Sequence, residues 1–190
     1  MKHEHILVIR FSEIADVAMT VPIVWALAQQ YPHTRITILS RPVTRPLFDQ
    51  LAPNVCFMAA DVKREYKGIK GLNKLYRRLV AKQFTSVADL HNVLHSEYLR
   101  LRFNLGRYRV EHLIKHRRLL GLPKRHKKPV AVSFNNYLDV FTRLGYPVST
   151  DGLPLDTLED LIRHGDGEIH STRTIREKID QVLTKNQQES

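Results

Sequence analysis

Short β-branched runs alternate along this chain with helix-length segments that carry apolar residues at helical spacing. That alternation restricts the fold more than any other feature of the sequence. The first unit is the clearest: His5–Arg10 contains the unbroken apolar run Ile6-Leu-Val-Ile9, followed by the polar loop Phe11–Ala15 and an apolar helix over Val17–Tyr31. A run without hydrophobic alternation describes a strand buried on both faces, which is the habit of parallel sheets. Arg35–Ser40, Val55–Ala60, Thr85–Leu90 and Arg107–Leu113 read as four further strands. Helices are expected over Gly68–Gln83, Leu94–Leu105 and Asn136–Leu144, with a short one broken by Pro42 and Pro46 over Arg41–Leu51. Strands separated by helices imply βαβ units, hence an α/β fold with a Rossmann-like, doubly wound parallel sheet.

Composition narrows the function classes. One cysteine in 190 residues excludes a disulfide framework and a multi-cysteine zinc site, and Cys56 reads as a small buried hydrophobe. No apolar stretch approaches the ~18 residues of a membrane span, and the short run after Lys2 and Glu4 is a strand rather than a signal peptide. A cytoplasmic protein is expected, with room for peripheral contact at the inner face of the inner membrane. The formal charge of +11 is concentrated in the middle third, where residues 61–128 hold 19 basic against 5 acidic residues. Such asymmetry points to an anionic partner, with a plain solvated basic face as the simpler alternative. Within it lie the clusters Lys115–Arg118 and Lys124–Lys128. Nucleic acid is the weakest candidate, because no reader motif is present and Tyr66 and Tyr76 are the only aromatics near the basic helix.

Residues 1–148 are assigned to the sheet domain. Residues 149–190 form an acidic linker with a short helix over Asp156–Arg163, then a C-terminal amphipathic helix striped by Ile175, Ile179, Val182 and Leu183. Thr174 with Glu177 can form a capping box for that helix, and Ser171 is a rival cap.

The loop after the first strand lacks the Gly-x-Gly-x-x-Gly fingerprint, and no Walker-type phosphate loop occurs anywhere. The loop offers Ser12, Glu13 and Asp16 at a helix N-terminus, beside the edge where open α/β sheets bind ligands. Asp16 is either a helix-capping carboxylate or a catalytic one. His91 and Asn92, after the fourth strand, are candidates for the same crevice. No histidine pair carries the carboxylates a catalytic zinc needs, so no metal site is expected.

The order Leu7-Val-Ile-Arg-Phe-Ser-x-Ile-x-Asp16-Val-x-Met-Thr-x-Pro22-Ile, followed by Tyr31-Pro-x-x-x-Ile-x-Ile-Leu-Ser-Arg41, resembles the N-terminal half of family 9 glycosyltransferases. Ala88-Asp-Leu-His-Asn-Val-Leu94 and Phe134-x-x-Tyr137-x-x-Val-Phe141-x-x-Leu-Gly145 are similar to the same family in the same order. The members are bacterial heptosyltransferases of lipopolysaccharide inner-core assembly. The resemblance implies the acceptor-binding, N-terminal domain of a GT-B fold, and metal-independent, inverting transfer from ADP-heptose. It implies Asp16 as the general base on the acceptor hydroxyl. Ser12, Lys63, Arg64, Lys67 and Lys70, with His91 and Asn92, would then meet the anionic glycolipid acceptor. The chain departs from the family in two ways. Ala15 stands where a glycine precedes the aspartate, at a cost on the order of 1 kcal/mol if that backbone is left-handed. The length fits one such domain and a tail, so the expectation is either a truncated form without the nucleotide-sugar domain or a partner completed by a separate donor-binding domain. The alternative is a catalytically silent module that binds anionic glycolipid or the membrane surface.

Overall fold

A computed structural model describes residues 4–114, 134–164 and 171–188. Five strands form one sheet: β1 (His5–Ile9), β2 (Arg35–Ser40), β3 (Val55–Ala59), β4 (Ser86–Asp89) and β5 (Arg109–His112). They are parallel throughout, in the order β3-β2-β1-β4-β5. The helices are α1 (Ile14–Ala18), α2 (Val21–Gln30), α3 (Gly68–Val80), α4 (Leu94–Leu105), α5 (Phe134–Leu144), α6 (Leu155–His164) and α7 (Thr172–Gln188), with a 3₁₀ segment at Pro42–Leu47. The Rossmann-like α/β architecture is the one expected.

The two-residue period of β1 divides its apolar run between two cores. Ile6 and Val8 pack with α1, α2, α5, α6 and α7, whereas Leu7 and Ile9 pack with α3 and α4. All five residues of β1 are buried, as its place at the centre of the sheet demands. Cys56, by contrast, is exposed, because β3 is an edge strand covered on fewer sides than β1.

The helix expected over Val17–Tyr31 is two helices. Pro22 stands at the start of α2 and has no N–H to return to the preceding turn. The turn tightens instead: the amide and hydroxyl of Thr20 both donate to the Val17 carbonyl, at 2.9 and 2.7 Å. Consequently α1 is a separate five-residue element. Ala15 lies within it in helical backbone, so the left-handed strain considered for alanine at this position does not arise.

The C-terminal helices are built into the main core. Leu158, Ile162, Ile175, Ile179 and Leu183 belong to the same buried cluster as Val17 and Leu47. Arg176 fastens α7 by donating to the carbonyls of Leu47 and Asp49, at 2.9 and 3.1 Å. Ser171, rather than Thr174, caps α7, its hydroxyl accepting from the Arg173 amide at 3.2 Å. The basic clusters Lys115–Arg118 and Lys124–Lys128 lie outside the described residues.

Candidate functional site

The strand order reverses between β1 and β4, since the chain leaves β1 toward β2 and later returns to β4 on the other side. A crevice opens at the carboxyl ends of strands at such a switch point. The loops after β1 and β4 form its two walls, and Arg10 joins them.

Arg10 is 3 % exposed. Its Nη1 donates to the carbonyl of Leu90 at the end of β4, and its Nη2 lies 3.2 Å from Asp16 Oδ2. The guanidinium carbon stands 5.4 Å from the centroid of the Tyr137 ring on α5. A permanently charged group is thus held between two strand ends, an aromatic face and one carboxylate. Asp16 remains 43 % exposed, so one side of its carboxylate is open to solvent. It occupies the first turn of α1 and does not cap it: Glu13 stands at the N-cap position, with no side-chain capping bond. Ser12 lies between Arg10 and α1, and its hydroxyl is buried with no hydrogen-bond partner among the described residues.

The loop after β4 is fixed by Asp89, which is fully buried. Its Oδ1 accepts from the amides of His91 and Asn92 at 2.9 and 3.0 Å, while Oδ2 lies 3.5 Å from Arg100. This Asx-type turn holds Asn92 at φ 50°, a left-handed conformation that asparagine tolerates better than most residues. The His91 ring then packs edge-on against Phe11, centroids 6.3 Å apart, which joins the two walls a second time. Asn92 donates to the Leu113 carbonyl at 2.7 Å and accepts from Arg100 at 3.1 Å. Both ends of its amide therefore serve the protein itself, so its part in the site is to hold the wall.

The loop after β3 repeats the device. Asp61 Oδ1 accepts from the amides of Lys63 and Arg64, both at 3.0 Å. The first turn of α3 approaches this loop so closely that a Cβ on Gly71 would stand 2.3 Å from the carbonyl carbon of Tyr66. Glycine at 71 therefore lets the first turn of α3, which carries Lys70, close directly on the loop that carries Lys63, Arg64 and Lys67. All four are exposed. None of them has an ion pair among the described residues, whereas Lys74 and Arg78 lie 3.8 and 3.6 Å from Glu65. The β3 edge is two strands from β1, roughly 10 Å away at the usual strand spacing. Asp16 and the cation cluster thus flank the carboxyl edge of the sheet from opposite helical layers.

Sequence reasoning missed Arg10, Asp89 and Arg100. A basic residue directly after a buried apolar strand was the available signal for Arg10, and an aspartate closing a strand before His-Asn was the signal for Asp89. Among the described residues no group of three or more metal-ligating side chains comes together. No helix among them is long and apolar enough to cross a membrane.

No family model matches the chain, and no curated protein matches it. Solved structures do. A glycosyl transferase family 9 protein from Veillonella parvula DSM 2008 superposes with a TM-score of 0.56 at 22% identity, over 77% of this chain and 43% of that one. The E. coli heptosyltransferase WaaC with ADP-2-deoxy-2-fluoro heptose gives 0.52 at 14% identity, over 77% of this chain and 50% of that one. WaaC with ADP gives 0.51 at 14% identity, over 77% and 49%. At these identities the likeness is one of fold. The chain spans about half the length of the solved structures it matches.

Proposed function

We propose that this chain is the acceptor-binding half of a heptosyltransferase-like glycosyltransferase of lipopolysaccharide core assembly. The observation that carries this reading is the setting of Asp16: a half-exposed carboxylate at the switch point, anchored on one side by buried Arg10. An acceptor hydroxyl bound in the crevice gives its proton to Asp16 as its oxygen attacks the anomeric carbon of the donor sugar. The bond from that carbon to the nucleoside diphosphate breaks, and the leaving phosphate carries away the electron pair. Attack opposite the leaving group inverts the anomeric centre. The further negative charge that develops on the leaving diphosphate would be met by the donor-binding unit, and the resemblance to family 9 glycosyltransferases implies that this is done without a metal.

Lys63, Arg64, Lys67 and Lys70 would bind the phosphates and acidic sugars of the acceptor, since their charges have no partner within the described protein. Ser12 and His91, on the loops after β1 and β4, would flank the reacting hydroxyl, with the buried Ser12 hydroxyl reached only if that loop shifts. ADP-heptose, or a similar nucleotide sugar, would be held by a donor-binding unit facing the carboxyl edge, in the same or a separate polypeptide. The test is transfer of radiolabelled heptose from ADP-heptose to a deep-rough lipopolysaccharide, with a family donor domain supplied. Turnover falling about 10²- to 10⁴-fold in Asp16→Asn, with acceptor binding kept, is the expected result. Unchanged turnover would remove Asp16 as the base. A second reading, a silent glycolipid-binding module, is favoured by the exposed cations Lys63, Arg64, Lys67 and Lys70 and predicts acceptor binding with no turnover under any donor supply.

A further inference from the structure

The helical layer formed by α3 and α4 presents two different ridges to solvent. On α4, Leu99 and Phe103 are buried against the sheet. Leu94, Leu101 and Leu105, spaced i, i+7 and i+11, fall on one line on the opposite side of the helix. They are 80, 56 and 74 % exposed. On α3, Leu72, Leu75 and Leu79 are buried, and the side turned away from them carries Lys70, Lys74 and Arg77. The helices lie side by side, with Tyr76 donating to the Arg102 carbonyl at 3.2 Å and Tyr98 donating to Asn73 at 2.9 Å. Ile69, 67 % exposed, stands at the start of α3. The carboxylates of this face are Glu65, beside Lys74 and Arg78, and Glu97 on the flank of α4.

We propose that this α3–α4 face docks on an anionic phospholipid bilayer, the leucine ridge entering the headgroup boundary and the cation ridge meeting the lipid phosphates. A row of apolar side chains beside a row of cations is the surface that binds such a membrane in plane. A second copy of the chain is disfavoured as occupant, because pairing the two faces would bring cation rows together. The inference adds to the proposed transferase reading, giving the bilayer in which a glycolipid acceptor would be anchored; it shares only Lys70 with that reading and rests on the leucines of α4 with Lys74 and Arg77. Acceptor-free vesicles test it separately.

Purified chain is mixed with vesicles of phosphatidylcholine alone, or of phosphatidylcholine with phosphatidylglycerol, and sedimented. Binding only to the anionic vesicles, weakening as salt rises, is expected. Leu94→Ser, Leu101→Ser and Leu105→Ser each lower the partition coefficient about tenfold. Lys74→Gln and Arg77→Gln each lower it about fivefold. The leucines are exposed, so circular dichroism of these variants stays unchanged. Turnover on a detergent-dispersed acceptor, where it exists, is the same in the leucine variants as in the parent. Equal binding to both vesicle types, no binding, or leucine variants that bind like the parent would overturn the proposal. So would a dimer in solution that the leucine variants convert to monomer, since the occupant would then be a second copy.

Discussion

Replacing Arg10 by methionine and Asp16 by alanine, singly and together, measures how firmly the crevice wall is tied. At the observed separation of 3.2 Å, Coulomb's law gives about 5 kcal/mol at an effective dielectric of 20 and about 1 kcal/mol in water. Asp16 is half-exposed, so water screens its side of the pair and the larger figure is an upper bound. Arg10 is almost wholly desolvated, which subtracts further from the net gain. A coupling of about 1–2 kcal/mol remains between the two side chains. Arg10→Met also orphans the Leu90 carbonyl and loses the contact with Tyr137, and should cost about 2–4 kcal/mol in all. Asp16→Ala leaves a buried cation that water reaches from one side, at about 1–2 kcal/mol. Urea denaturation followed by circular dichroism reads these values as shifts in midpoint at constant slope. The double variant should be less destabilised than the sum of the single ones by the coupling energy. Additivity within about 0.3 kcal/mol would refute the account of Arg10 as the anchor of Asp16.

Four further outcomes follow from the same structure. Gly71→Ala places a Cβ 2.3 Å from backbone and should destabilise by about 1–3 kcal/mol, while weakening anion binding at Lys67 and Lys70. Gly68→Ala, with open space but φ +70°, should cost about 1 kcal/mol and serves as the control. Burial holds the His5 and His112 imidazoles below their ordinary value of 6.5, with the charge of Arg100 adding to the effect at His112. The unfolded chain therefore takes up protons that the folded chain refuses, and stability falls as pH drops below about 6.5, which thermal melts across that range will show. Burial, then the bond to Glu4, raises the Tyr146 phenol above its ordinary 10.0, so stability also falls as pH rises past about 10. Ile179→Ala empties a fully buried position beneath α7 and should cost about 2–4 kcal/mol by the same melts, near zero being the outcome that would detach α7 from the core.

Features set by local pattern were legible in the sequence. The unbroken run of β1, the β-branched residues of β2 and the one-sided apolar stripe of α3 each state a period and a burial, and together they identified the sheet. Features that depend on distant partners were not legible. Arg10 reaches a backbone carbonyl 80 positions away, and carbonyls carry no signature in a sequence. The apolar stripe of α7 announced that it must pack, but nothing local named Leu47 or Val17 as its partners. Cys56 was misread because an apolar run looks the same in a central strand and an edge strand. Pro22 left a kink open in the sequence, and the structure makes it a full break: the missing amide mattered more than the continuous apolar character around it.

The docking of α7 on the 3₁₀ segment has a consequence for the order of events during synthesis. Arg176 and Leu47 are 129 positions apart, so the element that carries Asp16 leaves the ribosome long before the helix that covers it. At ~5–20 residues per second that interval is roughly 6–26 s. Throughout it, Val17 and Leu47 lack the apolar cover that Ile175, Ile179 and Leu183 later provide. The crevice wall is therefore among the first parts made and the last to be closed, and nascent chains stalled before residue 171 should present it to chaperones.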